Sequence, residues 1–175
     1  MGTPHPAGAS SRLLAAALIL PIVLVVGVLA AAAVVKGQRP APLLLPAAPA
    51  ADSADCAHLV TALPQQLDGG AGGGLERREL AAPVPSGVVA WGEPPVVLRC
   101  GLDRPAELRV TSRLLDVSGV TLLEIPHSPA SIWLVVDRPR YVMVTLPPDA
   151  GSGPLQQIAE VIAETMPARK LDFPP

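Results

Sequence analysis

Cys56 and Cys100 are the two cysteines of the chain, and their positions constrain the fold more than any other pair of residues. Cys56 begins a run of apolar residues at helical spacing, which is Cys56, Leu59, Val60 and Leu63. This spacing places Cys56 on the core side of a predicted helix. Cys100 ends an apolar stretch in which alternation groups it with Val96 and Leu98, whereas Arg99 lies on the opposite face. Both cysteines are therefore expected to face the interior of one domain.

A disulfide is the simplest chemistry for these two thiols, provided that the domain lies outside the cytoplasm. Two unpaired core thiols are one alternative. A metal site is another, but it needs two more ligands: His58 points away from Cys56 on the helix, and His127 stands alone in a loop. We therefore predict a Cys56–Cys100 disulfide and assign no metal-binding or cofactor-binding residues.

Catalytic chemistry finds little support in the sequence. His127 and Ser128 could be a base beside a nucleophile, but neighbours in a loop rarely face each other, and no strand–turn–helix elbow surrounds Ser128. Glu93, Glu124 and Asp137 are only three of the 15 acidic residues, so they do not single out an acid–base pair. We assign no catalytic residues.

The stretch at residues 91–101, which we call the central segment, reads as a turn that leads into a core strand. Trp91, Glu93 and Arg99 are its side chains suited to stacking or charge contacts, and we predict them as a partner or ligand surface. A half-buried Trp and an Arg with a packed aliphatic stem are the structural alternatives.

Residues 13–35 carry no charge and lie between Arg12 and Lys36, which is long enough to cross a bilayer of about 30 Å as a helix. A secretory signal peptide is the competing interpretation, but its apolar region is usually shorter. We predict a cytoplasmic tail at residues 1–12, a transmembrane helix or uncleaved signal anchor at 13–35, and a Pro/Ala-rich linker at 36–54.

The remaining chain predicts an extracytoplasmic α+β domain at residues 55–168, followed by a C-terminal tail at 169–175. We expect a small, mostly antiparallel sheet covered by two helices, because strand-like runs lie between two stretches of helical periodicity. An echo between residues 103–111 and 137–145 predicts two hairpins. Nucleic acid is an unsuitable partner, since all 15 acidic residues follow Ala51 and give this part a formal charge of −5.

The sequence resembles the actinobacterial domain-of-unknown-function 3515 family of single-pass envelope proteins. The resemblance is carried by residues 55–60 with Leu63 and Pro64, by residues 90–101, and by residues 137–147. It implies attachment to a cell membrane and no established activity, so it supplies no catalytic residues.

These observations predict a single-pass membrane protein whose C-terminal domain, outside the cytoplasm, is a non-enzymatic binding or structural module of the cell envelope. Its expected contacts are the bilayer, through residues 13–35, and an envelope protein or cell-wall component. An envelope enzyme, hydrolase-like and with a site that the sequence does not reveal, is the alternative.

Overall fold

A computed structural model describes residues 19–31, 41–69 and 73–173 of the chain. The chain divides into two compact units, Met1–Ala41 and Pro42–Pro175. The second unit is an α+β domain with a mostly antiparallel sheet, which confirms these two parts of the predicted fold class.

The described part of the first unit is a helix, α1, at residues 19–31, whose apolar side chains are exposed. None of the helices in the described ranges combines the length and the apolar character needed to cross a bilayer. Residues 13–18 and 32–35 of the predicted membrane segment lie outside the described residues.

The core of the domain is a six-stranded antiparallel sheet in the order β3-β4-β8-β7-β6-β5. Its strands, in chain order, are β3 (Val88–Trp91), β4 (Val96–Leu102), β5 (Leu114–Val117), β6 (Val120–Pro126), β7 (Ser131–Val135) and β8 (Tyr141–Leu146). A separate two-stranded sheet pairs β1 (Gln66–Asp68) with β2 (Gly74–Glu76). Short apolar strands joined by tight turns make this meander, in which β5 to β8 are sequential neighbours.

Two helices, α2 (Ala54–Ala62) and α3 (Gly153–Thr165), cover one face of the large sheet. In α2 the Ser53 hydroxyl accepts a hydrogen bond from the Cys56 N–H, as its N-cap position predicts. In α3 Pro154 lies in the first turn. The apolar residues at helical spacing along α3 and at its C-cap are buried: Leu155, Ile158, Ile162 and Met166.

The opposite face of the sheet has a smaller apolar cluster built on Leu123, Leu134 and Val136. Leu108, from the connection between β4 and β5, and Phe173, from the C-terminal tail, pack on this cluster. The sheet is therefore covered on both sides, by helices on one and by irregular chain on the other.

One hairpin prediction is correct and the other is wrong. Residues 137–145 include the turn from β7 into β8, as predicted. Residues 103–111 form turns without a strand, because β4 pairs with β3 and β8 and leaves no position for a strand from this segment. Leu108 is instead fully buried and packs in the smaller apolar cluster.

Part of the stretch assigned to the linker packs on the domain. The N–H of Ala81 donates to the Leu43 carbonyl at 2.9 Å, and Ala48 and Ala51 are buried. The segment from Pro42 to Ala51 thus extends the core, and Leu44 remains exposed at 83 %.

Candidate functional site

The disulfide joins the first domain helix to the second sheet strand. Cys56 on α2 and Cys100 on β4 are bonded, with their Cα atoms 5.6 Å apart, and both residues are fully buried. This Cα separation is usual for a disulfide. The predicted disulfide is confirmed, and it fixes α2 against β4, the neighbour of the edge strand β3, on the helix-covered face.

The backbone next to Cys100 explains how the segment at residues 42–51 is held. Cys100 pairs with Val142 and Leu102 with Tyr141, so Gly101 is an extra residue that forms a β-bulge. Gly101 has a φ of +91°, and its carbonyl accepts a hydrogen bond from Ala50 N–H at 2.9 Å. A Cβ at this position would lie 2.4 Å from the Ala50 carbonyl carbon. Only glycine fits this bulge.

Trp91 is structural and does not belong to an exposed surface, which corrects its predicted role. Its side chain is fully buried, and its indole N–H donates to the Pro64 carbonyl at 3.0 Å. The ring therefore anchors the chain that leaves α2 to the edge strand β3.

Glu93 lies in the turn between β3 and β4 and is exposed. Its carboxylate forms a short ion pair with the guanidinium of Arg78, whose side chain is only 7 % exposed. Arg78 also donates to the Gly92 carbonyl. Glu93 therefore serves as the counter-ion of a buried arginine.

Arg99 faces the side of the sheet opposite the helices, as the alternation predicts. It pairs across the strands with Val88 and Met143, so its aliphatic stem lies in an apolar row, and its Nε is buried without a hydrogen-bond partner. The three residues predicted as one surface therefore divide into a core residue, a counter-ion and a half-buried arginine.

The catalytic candidates do not converge. His127 and Ser128 are exposed in the turn between β6 and β7, and Glu124 is exposed on β6. Asp137 is buried beside Arg138, with 2.8 Å between its Oδ2 and Arg138 Nη1, and its Oδ2 accepts a hydrogen bond from the Thr121 N–H. Across the described ranges, no three His, Cys, Asp or Glu side chains are grouped as metal ligands.

A cleft that the sequence did not predict lies beside the outer edge of β3. Its volume is about 410 Å³. Its lining comes from α2, from the chain between β2 and β3, and from β3 itself: Val60, Arg77, Arg78, Leu80, Val84, Pro85, Ser86, Gly87, Val88 and Val89. This lining has no histidine, cysteine or carboxylate. We call it the Arg77 cleft.

The lining of the Arg77 cleft contains two positively charged arginines and no carboxylate that could pair with them. Arg78 is paired with Glu93, but none of the ion pairs of the described residues includes Arg77. Among the described residues, the Arg77 guanidinium donates one hydrogen bond, a long one of 3.4 Å to the Val60 carbonyl near the end of α2. Burial lowers the pKa of the Arg77 guanidinium below its usual value, because burial disfavours the charged form.

A signal for this cleft exists in the sequence as the pair Arg77-Arg78 followed by an apolar, proline-containing stretch at residues 80–89. The signal is weak, because only the fold brings Val60 from α2 against this stretch.

Comparison with known proteins identifies the family of this chain and no relative of known structure. Residues 18–171 match the family model described as "Protein of unknown function (DUF3515)". The chain belongs to the DUF3515 family. No curated protein and no solved structure matches it. Membership in DUF3515 confirms the family that residues 55–64, 90–101 and 137–147 resembled, and it assigns no activity.

Proposed function

We propose that this protein is a membrane-tethered domain of the cell envelope that binds a ligand or partner outside the cytoplasm and catalyses no reaction. The single observation that carries the proposal is the fully buried Cys56–Cys100 disulfide. Disulfides persist in oxidising compartments and are rare in the cytosol. A domain that depends on one is therefore suited to the outer side of the membrane.

The tether is residues 13–35, as the uncharged run predicts. The exposed apolar side chains of α1 support this proposal, because a contiguous apolar surface usually contacts a membrane or a partner. The disulfide supports an orientation in which the N-terminal tail is inside and the domain is outside.

The binding role is supported by the Arg77 cleft, which is concave and mostly apolar and has a few charged groups, as small-ligand sites commonly do. Of its two arginines, Arg78 is paired with Glu93. The hydrolase-like alternative receives no support from this cleft, because its lining offers no general base beside a nucleophile.

The location is tested with a new cysteine at Ala163, which is exposed on α3. We expect a membrane-impermeant maleimide to label Ala163→Cys in intact cells, with the unchanged protein as the control for reaction at the native cysteines. Labelling that requires cell lysis would reject the extracytoplasmic location.

The binding role is tested with a photo-crosslinking amino acid at Val84, in the cleft, and at Val110, which is exposed outside it. We expect a discrete crosslinked product from position 84 and none from position 110. Equal crosslinking at both positions, or none at either, would remove the cleft as the binding site.

A further inference from the structure

Three properties of the Arg77 cleft restrict what it can bind. The first is its aliphatic lining, whose apolar residues are Val60, Leu80, Val84 and the largely buried Val88 and Val89, with no aromatic ring among them. Val84 is 68 % exposed, one of the few large apolar side chains of the domain that remain in contact with water. Covering apolar surface is worth about 25 cal/mol per Å², so an apolar ligand would be stabilised here.

The second property is a single available cation. Arg78 is already engaged by Glu93 and by the Gly92 carbonyl. The Arg77 side chain has one long hydrogen bond to a carbonyl and no ion pair within the described part of the chain. An anion beside Arg77 would therefore meet an uncompensated charge in a partly desolvated position, where charge pairing is stronger than in open water.

The third property is the geometry of that cation. A guanidinium presents a planar pair of N–H donors that matches the two oxygens of one carboxylate. A phosphate group carries more charge and is usually held by several basic groups. With one free arginine, the cleft is matched to a monovalent carboxylate.

We propose that the Arg77 cleft binds a small aliphatic carboxylate, with its head group on Arg77 and its chain along Val84, Leu80 and Val88. A volume of about 410 Å³ is within the range of small-ligand sites. This inference rests on the proposed binding function and specifies the chemistry of its ligand.

The test uses calorimetric titration of the purified full-length protein with sodium decanoate, and with decanol as the uncharged ligand of equal chain length. We expect decanoate to bind at least ten-fold more tightly than decanol. We expect Arg77→Met to weaken decanoate binding at least ten-fold and to leave decanol unchanged, because methionine retains an apolar stem without the charge.

Arg113→Met is the matched control, since Arg113 is exposed and lies outside the cleft lining. It should bind decanoate as the unchanged protein does. Thermal unfolding of both variants verifies that they fold. Arg77→Lys should give intermediate affinity, because lysine keeps the charge and loses the paired donors.

Equal affinities for decanoate and decanol, an unchanged affinity in Arg77→Met, or no binding of decanoate would each overturn the proposal. Tighter binding of an apolar tripeptide with a free C-terminal carboxylate than of decanoate would also overturn it. The maleimide result at position 163 is independent of this titration. If the domain is labelled from outside but does not bind decanoate, the proposed ligand class is wrong and the proposed location stands.

Discussion

The Gly101 carbonyl and the Ala50 N–H form a hydrogen bond of 2.9 Å directly beside the disulfide-bonded Cys100. The bulge at Gly101 brings the segment at residues 42–51 against β4 at the same place where the disulfide brings α2. Residues 42–51 and α2 are thus both attached to the C-terminal end of β4.

Gly101→Ala should destabilise the domain by roughly 2–4 kcal/mol, because the new methyl group adds overlap with the Ala50 backbone to the strain of a positive φ. Urea unfolding measures the change. Gly119→Ala is the matched control: Gly119 also has a positive φ, +74°, but nothing lies within 4 Å of its added Cβ. We expect a loss of about 1–2 kcal/mol there. Equal losses in the two variants would contradict the close packing at Ala50.

Removing the disulfide by the double change Cys56→Ala and Cys100→Ala should reduce the free energy of unfolding by about 4 kcal/mol. The loop that it closes spans 44 residues, and the lost constraint on the unfolded chain accounts for this magnitude. Denaturant unfolding should show the loss in the variant and the same loss in the unchanged protein after reduction. A variant as stable as the oxidised protein would show that the disulfide does not stabilise the domain.

The sequence was sufficient for the elements with strong local periodicity. The spacing of apolar residues predicted the strand from Val96 to Cys100, which the structure extends to Leu102, and the helix that contains Leu155 and Ile158. It also predicted the inward orientation of both cysteines. The disulfide followed from these orientations and from the presence of only two thiols.

The remaining structure depends on contacts that no local pattern records. Leu108 has strand-like neighbours but fills a gap on the far side of the sheet, since β4 already has two partner strands. Trp91 stands beside a turn in the sequence, and its burial depends on distant contacts such as the hydrogen bond from its indole N–H to the Pro64 carbonyl. The Arg77 cleft was unpredictable for the same reason, because it is assembled from α2, a long loop and a sheet edge.

Asp137→Asn should destabilise the domain by about 3–5 kcal/mol, because it leaves the guanidinium of Arg138 buried without its carboxylate. Arg138 holds the Gly119 carbonyl at 2.8 Å, so the change also loosens the β5–β6 turn. Thermal or urea unfolding provides the measurement.

Asp55→Asn is the control for an exposed ion pair. Asp55 and Arg140 are 3.3 Å apart, and each side chain is about two-fifths exposed. We expect a loss of about 1 kcal/mol or less, because water screens this pair. A comparable loss in both variants would contradict the distinction between the buried and exposed pairs.

Trp91→Phe should cost about 2 kcal/mol of stability and leave decanoate binding unchanged, because the change removes a buried hydrogen bond to Pro64 and some core volume. Trp133→Phe is the comparison, since Trp133 is only partly buried and its indole donates to the Ser131 hydroxyl two residues away. We expect the smaller loss there. A Trp91→Phe protein of full stability that fails to bind decanoate would restore Trp91 to the ligand surface.

The most direct test of the extracytoplasmic, disulfide-linked domain is peptide mapping of the native protein under non-reducing conditions. Cells are quenched with an alkylating reagent before lysis, so that thiols and disulfides keep the state they had in the cell. We expect a linked peptide pair containing Cys56 and Cys100. Two separate peptides with both cysteines alkylated would contradict the disulfide-linked, extracytoplasmic domain.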